Sequence, residues 1–238
     1  MLYNYSKLFV LFLSYSVIGY IIEVISASLT NKKFCPSRGF LIGPYLPVFG
    51  FGSLIITTFI SKYSDDYITI FILGMFACSL VEYVTSYVLE KIFGLRWWDY
   101  SDRKFNINGR INLTTGIKFG LGSIFLLKIL NPFLFKMFEI IPKNFLITFS
   151  IIMTFFVILD TIISSYIIAR LKLDTKKYFK RDATEEIKEK VRESLKKYKL
   201  LYSRILYAFP NLSLDNKKFE RIKRVIRRKK IGSDYFEK

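Results

Sequence analysis

The sequence predicts an all-α protein: a polytopic membrane helix bundle of about five spans, followed by a cytoplasmic C-terminal helical hairpin. Three observations carry this. Of 238 residues, 52% are hydrophobic and 18% aromatic, and the mean hydropathy is +0.30. Apolar runs with few charges recur at residues 8–29, 40–60, 68–93, 111–135 and 145–168. Each is long enough to cross a hydrocarbon core of about 30 Å at about 1.5 Å per residue. Charge is also segregated: residues 1–169 hold 14 Lys/Arg and 9 Asp/Glu, and residues 170–238 hold 23 and 10. The chain therefore divides into a membrane unit, residues 1–170, and a basic tail, residues 171–238.

The first run lacks a small-residue cleavage site after a short apolar core and carries Glu23, so it reads as a retained span and not a signal peptide. A basic tail beside a membrane belongs on the cytoplasmic side, near anionic headgroups. Five spans then place the N-terminus outside. The inside loops are 31–39, with Lys32, Lys33 and Arg38, and 94–110, with Arg96, Arg103, Lys104 and Arg110. The outside segments carry Lys7, Lys62, Lys136 and Lys143 against Asp65, Asp66 and Glu139. This bias follows the positive-inside rule.

There is no histidine, and the cysteines are Cys35 and Cys78. Zinc sites with His ligands, Ser-His-Asp triads and Cys-His dyads are excluded. One cysteine in a cytoplasmic loop and one inside a span do not predict a disulfide. The sequence presents no cofactor motif and no nucleic-acid-binding module.

Three spans run from outside to inside, and each carries one carboxylate about two-thirds of the way through. The strings are "EVISAS" from Glu23, "EYVTSY" from Glu82 and "DTIISSY" from Asp160. The two returning spans are each entered through an arginine, Arg38 in "SRGFLIG" and Arg110 in "NGRINLTTG". This acid-then-arginine pattern reads as a tandem helical hairpin with the fifth span as a half unit, and same-direction repeats imply a pseudo-axis along the membrane normal. An isolated carboxylate in hydrocarbon costs roughly 2.5–3.5 kcal/mol on insertion scales. The three acids should therefore face the bundle interior, with Arg38, Arg110, Lys118 or Lys128 as partners. Such a cluster either fixes helix register or lines a polar cavity open to the cytoplasm. The second span, "GFLIGPYLPVFGFGS", carries Pro44 and Pro47, which predict either a kinked packing helix or a discontinuous helix lining a site.

The loop "LRWWDYSDRKFNINGR" between the third and fourth spans is dense in charge and aromatics. Trp97 and Trp98 sit where an interfacial aromatic belt would place them. The loop is expected to fold as a lid over the acids, with Asp99 meeting Arg38 or Arg110. In the tail, Thr184 caps a helix whose stripe is Ile187, Val191, Leu195, Tyr198, Leu201 and Ile205. "FPN" at 209–211 ends it, and a second helix carries Phe219, Ile222 and Ile226 before "RRKK" at 227–230.

The strings "YSVIGYIIEV", "SRGFLIGPYLPVFGFG", "VEYVTSYVLEKIFGLRWWDYS", "FNINGRINL" and, in the tail, "AFPNL" resemble the bacterial CmpB-type ABC-transporter permease family. The likeness covers most of the first 120 residues. It departs at Ser37, where the family more often has Asn, and at Tyr20, where Trp is commoner. The resemblance implies that the polar motif residues, and the expected substrate-binding set, fall on Glu23, Arg38, Glu82, Trp97, Trp98, Asp99, Tyr100, Asn106, Arg110 and Asp160. It implies a transport role in the bacterial cell membrane. There is no GxxxxGK[ST] in the chain, so ATP binding would fall to a separate cytoplasmic ATPase. No coupling loop of the EAA type is evident either. The expected partners are that ATPase or another cytoplasmic protein, and anionic lipid headgroups against the tail, with no nucleic acid. Two other functions fit the residues: a noncatalytic membrane scaffold or regulator, and an enzyme acting on lipid headgroups with a carboxylate base and the two arginines on phosphate.

Overall fold

The computed structural model describes residues 2–32, 34–36, 39–94, 96–178, 202 and 204. The predicted tail helices lie outside the described residues, apart from Tyr202 and Arg204.

The architecture is a bundle of helices with one two-stranded hairpin: α1 (Leu2–Asn31), α2 (Pro47–Ile55), α3 (Tyr67–Phe93), β1 (Asn106–Ile107), β2 (Ile111–Asn112), α4 (Leu113–Phe125), α5 (Asn131–Ile140) and α6 (Lys143–Tyr178). Four stretches are long and apolar enough to cross a membrane: Leu2–Asn31, Tyr67–Phe93, Leu113–Ile140 and Lys143–Leu173. Large apolar side chains such as Phe76, Leu80, Phe155 and Ile162 stand exposed around the outside, which is the pattern of a lipid-facing surface and not of a water-facing one. The protein is an all-α membrane helix bundle.

The helix ends follow from local chemistry. Asp66 caps α3, accepting from the Ile68 and Thr69 N–H groups at 3.0 and 3.1 Å. Gly94 ends α3 at φ +63°, a left-handed conformation that an L side chain resists. Asn112 caps α4 through the Thr115 N–H at 3.1 Å.

The second apolar stretch differs from a full span. Its helix starts only at Pro47, and residues 39–46 are bent. Gly39 turns the chain at φ +79°, and Pro44 and Pro47 each bias the residue before them away from helical backbone. The nine helical residues and the five-residue π turn that follows rise only about 21 Å. Of the two readings of this span, the backbone is that of the discontinuous one.

Two helix pairs make the body of the bundle, α1 with α2 and α3 with α4, and they share a pattern. Each second helix carries a Phe-Gly-x-Gly-Ser string, residues 49–53 and 119–123. At the same spacing each then passes into a π turn, Ile56–Ile60 and Leu126–Leu130. A Cβ placed on Gly50 would stand 2.5 Å from the Phe12 ring, and one on Gly120 would stand 2.6 Å from the Phe71 ring. Phe12 and Phe71 lie the same number of residues ahead of Glu23 and Glu82. Matching glycines thus meet matching phenylalanines in the two pairs, and small residues let the helices approach closely, as membrane helices require for packing. The main apolar cluster, including Leu11, Ile56, Ile70, Leu126 and Phe138, lies around the π turns. The acids lie toward the other end.

In α3–α4 the Phe71 carbonyl would stand 2.8 Å from a Cβ on Gly120, so backbone would have to move. Gly120→Val should lower stability by about 1–3 kcal/mol, read as a fall in Tm in detergent. Gly122→Ala meets nothing within 4 Å and should leave Tm unchanged or slightly raised. Equal effects of the two would mean that this seam does not set the helix spacing.

Candidate functional site

The segment after α3 builds a compact structure from its own residues. Asn108 and Gly109, at φ +52° and +64°, form the type I′ turn that joins β1 to β2. The Ile107 carbonyl accepts from the Arg110 N–H at 3.0 Å. A Cβ on Gly109 would collide with Ser101 Oγ and Asp99 Oδ1, so glycine is needed there for space as well as for φ. The Tyr100 N–H donates to the Gly109 carbonyl at 2.7 Å, and Trp98 Nε1 donates to the Arg110 carbonyl at 3.0 Å. The Asn106 amide donates to the Arg103 carbonyl at 2.7 Å, while its oxygen accepts from the Gly109 N–H at 2.9 Å. Arg96 donates to the Asn108 carbonyl. Trp98, Asn106 and Arg96 thus hold the hairpin's shape.

The hairpin presses Tyr100 against α3. The Tyr100 hydroxyl donates to Glu82 Oε1 at 3.1 Å. Burial pushes the Tyr100 phenol above its ordinary range, so it stays an O–H donor. Glu82 is only 8% exposed, and its Oε2 has no hydrogen-bond partner among the described residues. Glu23, half-buried on α1, is near enough for its charge to act on both Glu82 and Tyr100.

The arginines are placed differently from the sequence expectation. Arg110 pairs with Glu90 at 2.8 Å, donates to Ser86 at 3.1 Å and lies over the Tyr83 and Tyr87 rings. Asp99 does not meet Arg110: it pairs with Arg96, three residues away, at 3.4 Å and accepts from Ser101 N–H and Oγ. The short loop satisfies Asp99 locally, and Arg110 is turned onto α3. Arg38 lies outside the described residues. Lys128 sits at the far end, 3.8 Å from Asp65. Trp97 is buried, 1% exposed, with its ring edge-on to Phe40 and Phe93 at 5.5 and 6.0 Å. It joins the bent segment 39–46 to the end of α3, instead of lying in an outward-facing belt.

Asp160 stands apart from Glu23 and Glu82. Its carboxylate accepts from the Ile42 and Gly43 N–H groups at 2.9 and 2.8 Å, the Tyr45 hydroxyl at 2.6 Å and the Ser164 hydroxyl at 2.9 Å. Its charge also reaches Arg204, beyond α6. The structure therefore brings Glu23, Glu82 and Tyr100 together and gives Asp160 a site of its own. Sequence reasoning missed Ser86 and Glu90, the partners of Arg110, and the bend's N–H groups as partners of Asp160. The Asn108-Gly109 pair was a legible signal for the hairpin.

Chemically, a buried carboxyl with one unengaged oxygen, a phenol and a second carboxylate can hold positive charge. Among the described residues no three His, Cys, Asp or Glu side chains converge as metal ligands.

The sequence profile of the CmpB family, described as "Putative ABC-transporter type IV", matches residues 10–165. The chain belongs to this family. No curated protein and no solved structure matches it. The part of the chain shared with the CmpB family runs from within α1 to just past Asp160, so it encloses both acid sites and the hairpin, and it stops short of the tail.

The Ser101 hydroxyl, the Ser101 N–H and Arg96 hold the Asp99 carboxyl below the usual carboxylate range. A lowered folded pKa means that the contribution is present above the ordinary Asp value of about 4 and is lost as pH falls through the lowered one. Protection of the amides in residues 96–110, taken against the intrinsic exchange rate at each pH, should therefore be high at neutral pH and fall on acidification. In Asp99→Asn it should be low throughout. Protection independent of both pH and the substitution would show that Asp99 does not hold the loop.

Proposed function

We propose that the chain is the membrane permease subunit of an ABC-type transporter, with its polar site at Glu82, Glu23 and Tyr100. The observation that carries this is Glu82, a carboxyl buried in a membrane helix with one oxygen unengaged among the described residues. A charged side chain inside a bundle marks a substrate or ion path by default, because its insertion is costly. On this reading residues 1–170 form the membrane unit, and residues 96–110 close the site from the cytoplasm through Tyr100. Trp97, Trp98, Asp99, Asn106 and Arg110 serve the site by holding the bend and the hairpin, and Arg38, outside the described residues, belongs to the same polar set by its place in the sequence. Asp160 fixes the broken second span beside it. The site takes a cation or a cationic group. ATP hydrolysis falls to a separate cytoplasmic ATPase, and the basic residues 171–238 meet anionic headgroups and that partner. A lipid-headgroup enzyme is less well supported, since Arg110, one of its two phosphate holders, is engaged by Glu90 and Ser86.

The full-length protein, purified gently from its own membranes, should carry a nucleotide-hydrolysing partner. The release of that partner on deleting residues 179–238 would fit the tail's role. Copurification of only a protein without ATPase activity would favour a scaffold and remove the permease reading.

The orientation is N-terminus outside and C-terminus cytoplasmic in the bacterial cell membrane. Cys35, partly exposed after α1, should be shielded from an impermeant thiol reagent in intact cells and react after permeabilisation. Ready labelling from outside would reverse the topology.

A further inference from the structure

We infer that Glu82 is a proton-binding site: in the conformation described here it is a neutral carboxylic acid, and the Tyr100 hairpin seals the proton in. The inference deepens the permease reading, since it rests on Glu82 as the centre of the polar site and names the charge that the site takes.

The argument is one of partners. Asp160 and Glu82 are both carboxyls on membrane helices, and their surroundings are opposite. Asp160 accepts from two backbone N–H groups and two hydroxyls, enough donors to hold a carboxylate. Glu82 is more deeply buried, yet among the described residues it accepts one hydrogen bond, from the Tyr100 hydroxyl. Among the described residues, the groups that face it from each neighbouring element add no charge to hold an anion. From α1 comes Glu23, a like charge. From the hairpin comes Tyr100, a neutral phenol that Thr115 of α4 also touches. On its own helix lies Cys78, one turn away and against Gly52 of α2. The cation nearest along α3, Arg110, bonds Ser86 and is neutralised by Glu90. Arg38 lies outside the described residues.

A carboxylate this buried with one oxygen unengaged is costly, and a second carboxylate within electrostatic range raises the cost. Taking up one proton from water removes the charge: Glu82 carboxylate plus H⁺ gives the carboxylic acid, and no other bond changes. Oε1 then remains the acceptor for Tyr100, and the unengaged Oε2 carries the proton as a donor. Release requires the segment 96–110 to move far enough for water to reach Glu82 and solvate the carboxylate. Occupancy of the site and position of the hairpin are thereby linked.

The test uses the full-length protein in lipid nanodiscs and a hydrophobic carbodiimide, which reacts with buried carboxyls in their protonated form. The adduct is located by mass spectrometry from about pH 5 to about pH 9. The expected result is an adduct on Glu82 that forms fastest at low pH. Its rate should fall about tenfold per pH unit beyond a midpoint, and Asp160 should stay unmodified. Glu23→Gln removes the like charge and should move that midpoint to lower pH. Tyr100→Phe removes the one donor among the described residues and should move it to higher pH. These two variants keep the test sharp even where Glu82→Gln fails to fold. Absence of an adduct on Glu82 throughout, a rate flat with pH, or protection by sodium or potassium at low pH would each overturn the proposal. The two readings fail separately: a copurifying ATPase with an unreactive Glu82 leaves the permease without the proton site, and a pH-dependent adduct with no ATPase leaves the proton site without the permease.

Discussion

Everything in this bundle is arranged around one constraint: inside a bilayer a polar group finds its partner in the protein or goes without. The bent segment 39–46 is the clearest case. Its backbone would leave N–H groups exposed at a depth where no water competes. The Ile42 and Gly43 N–H groups go to Asp160 instead, and the Leu46 N–H goes to the Ser16 carbonyl at 2.9 Å. Asp160 is thus the reason that a span can be broken here, and the bend is the reason that Asp160 can be an anion. At the other end of the molecule the same rule gathers Tyr15, Thr57 and Asn131 into a buried hydrogen-bonded group between α1, the first π turn and α5.

Against this rule Glu82 is informative because, among the described residues, one of its oxygens goes without a partner. Removing a charge from water is offset only when hydrogen bonds or an opposite charge replace the lost solvent. Arg110 reaches α3 at Ser86, one turn from Glu82, yet its charge is paired with Glu90. The second carboxylate on α3 intercepts the arginine that would have neutralised the first. The arrangement leaves one acid engaged in a structural ion pair and one acid available.

The helical class and the apolar stretches were legible, because length and hydropathy decide membrane insertion without tertiary detail. The break in the second span was legible as a pair of alternatives, from Pro44 and Pro47. The pairing of the acids was not. Periodicity placed Glu23, Glu82 and Asp160 at similar depth, but depth does not fix which face of the bundle each reaches. The backbone donors that hold Asp160 have no side-chain signature at all. Asp99 was assigned a distant arginine when a local one, Arg96, sat three residues away. Short loops satisfy their charges locally because less chain must be ordered to do so.

The two helix pairs show how a repeated framework yields a single unequal site. Both use a Phe-Gly-x-Gly-Ser helix, both end in a π turn, and both set an acid the same number of residues beyond the phenylalanine that packs on the glycine. They differ in what enters the second helix. In the first pair the entry is the bend, pinned by Asp160 from α6. In the second it is the β1–β2 hairpin, rigid through its own hydrogen bonds and reaching back to Glu82. Trp97 ties these unlike entries together, since it packs on Phe40 of the bend and on Phe93 at the end of α3. A movement of the hairpin that freed Tyr100 from Glu82 would therefore be felt at the bend, and through the bend at Asp160. The acids are separate sites in contact terms, but one buried indole packs on the surroundings of both.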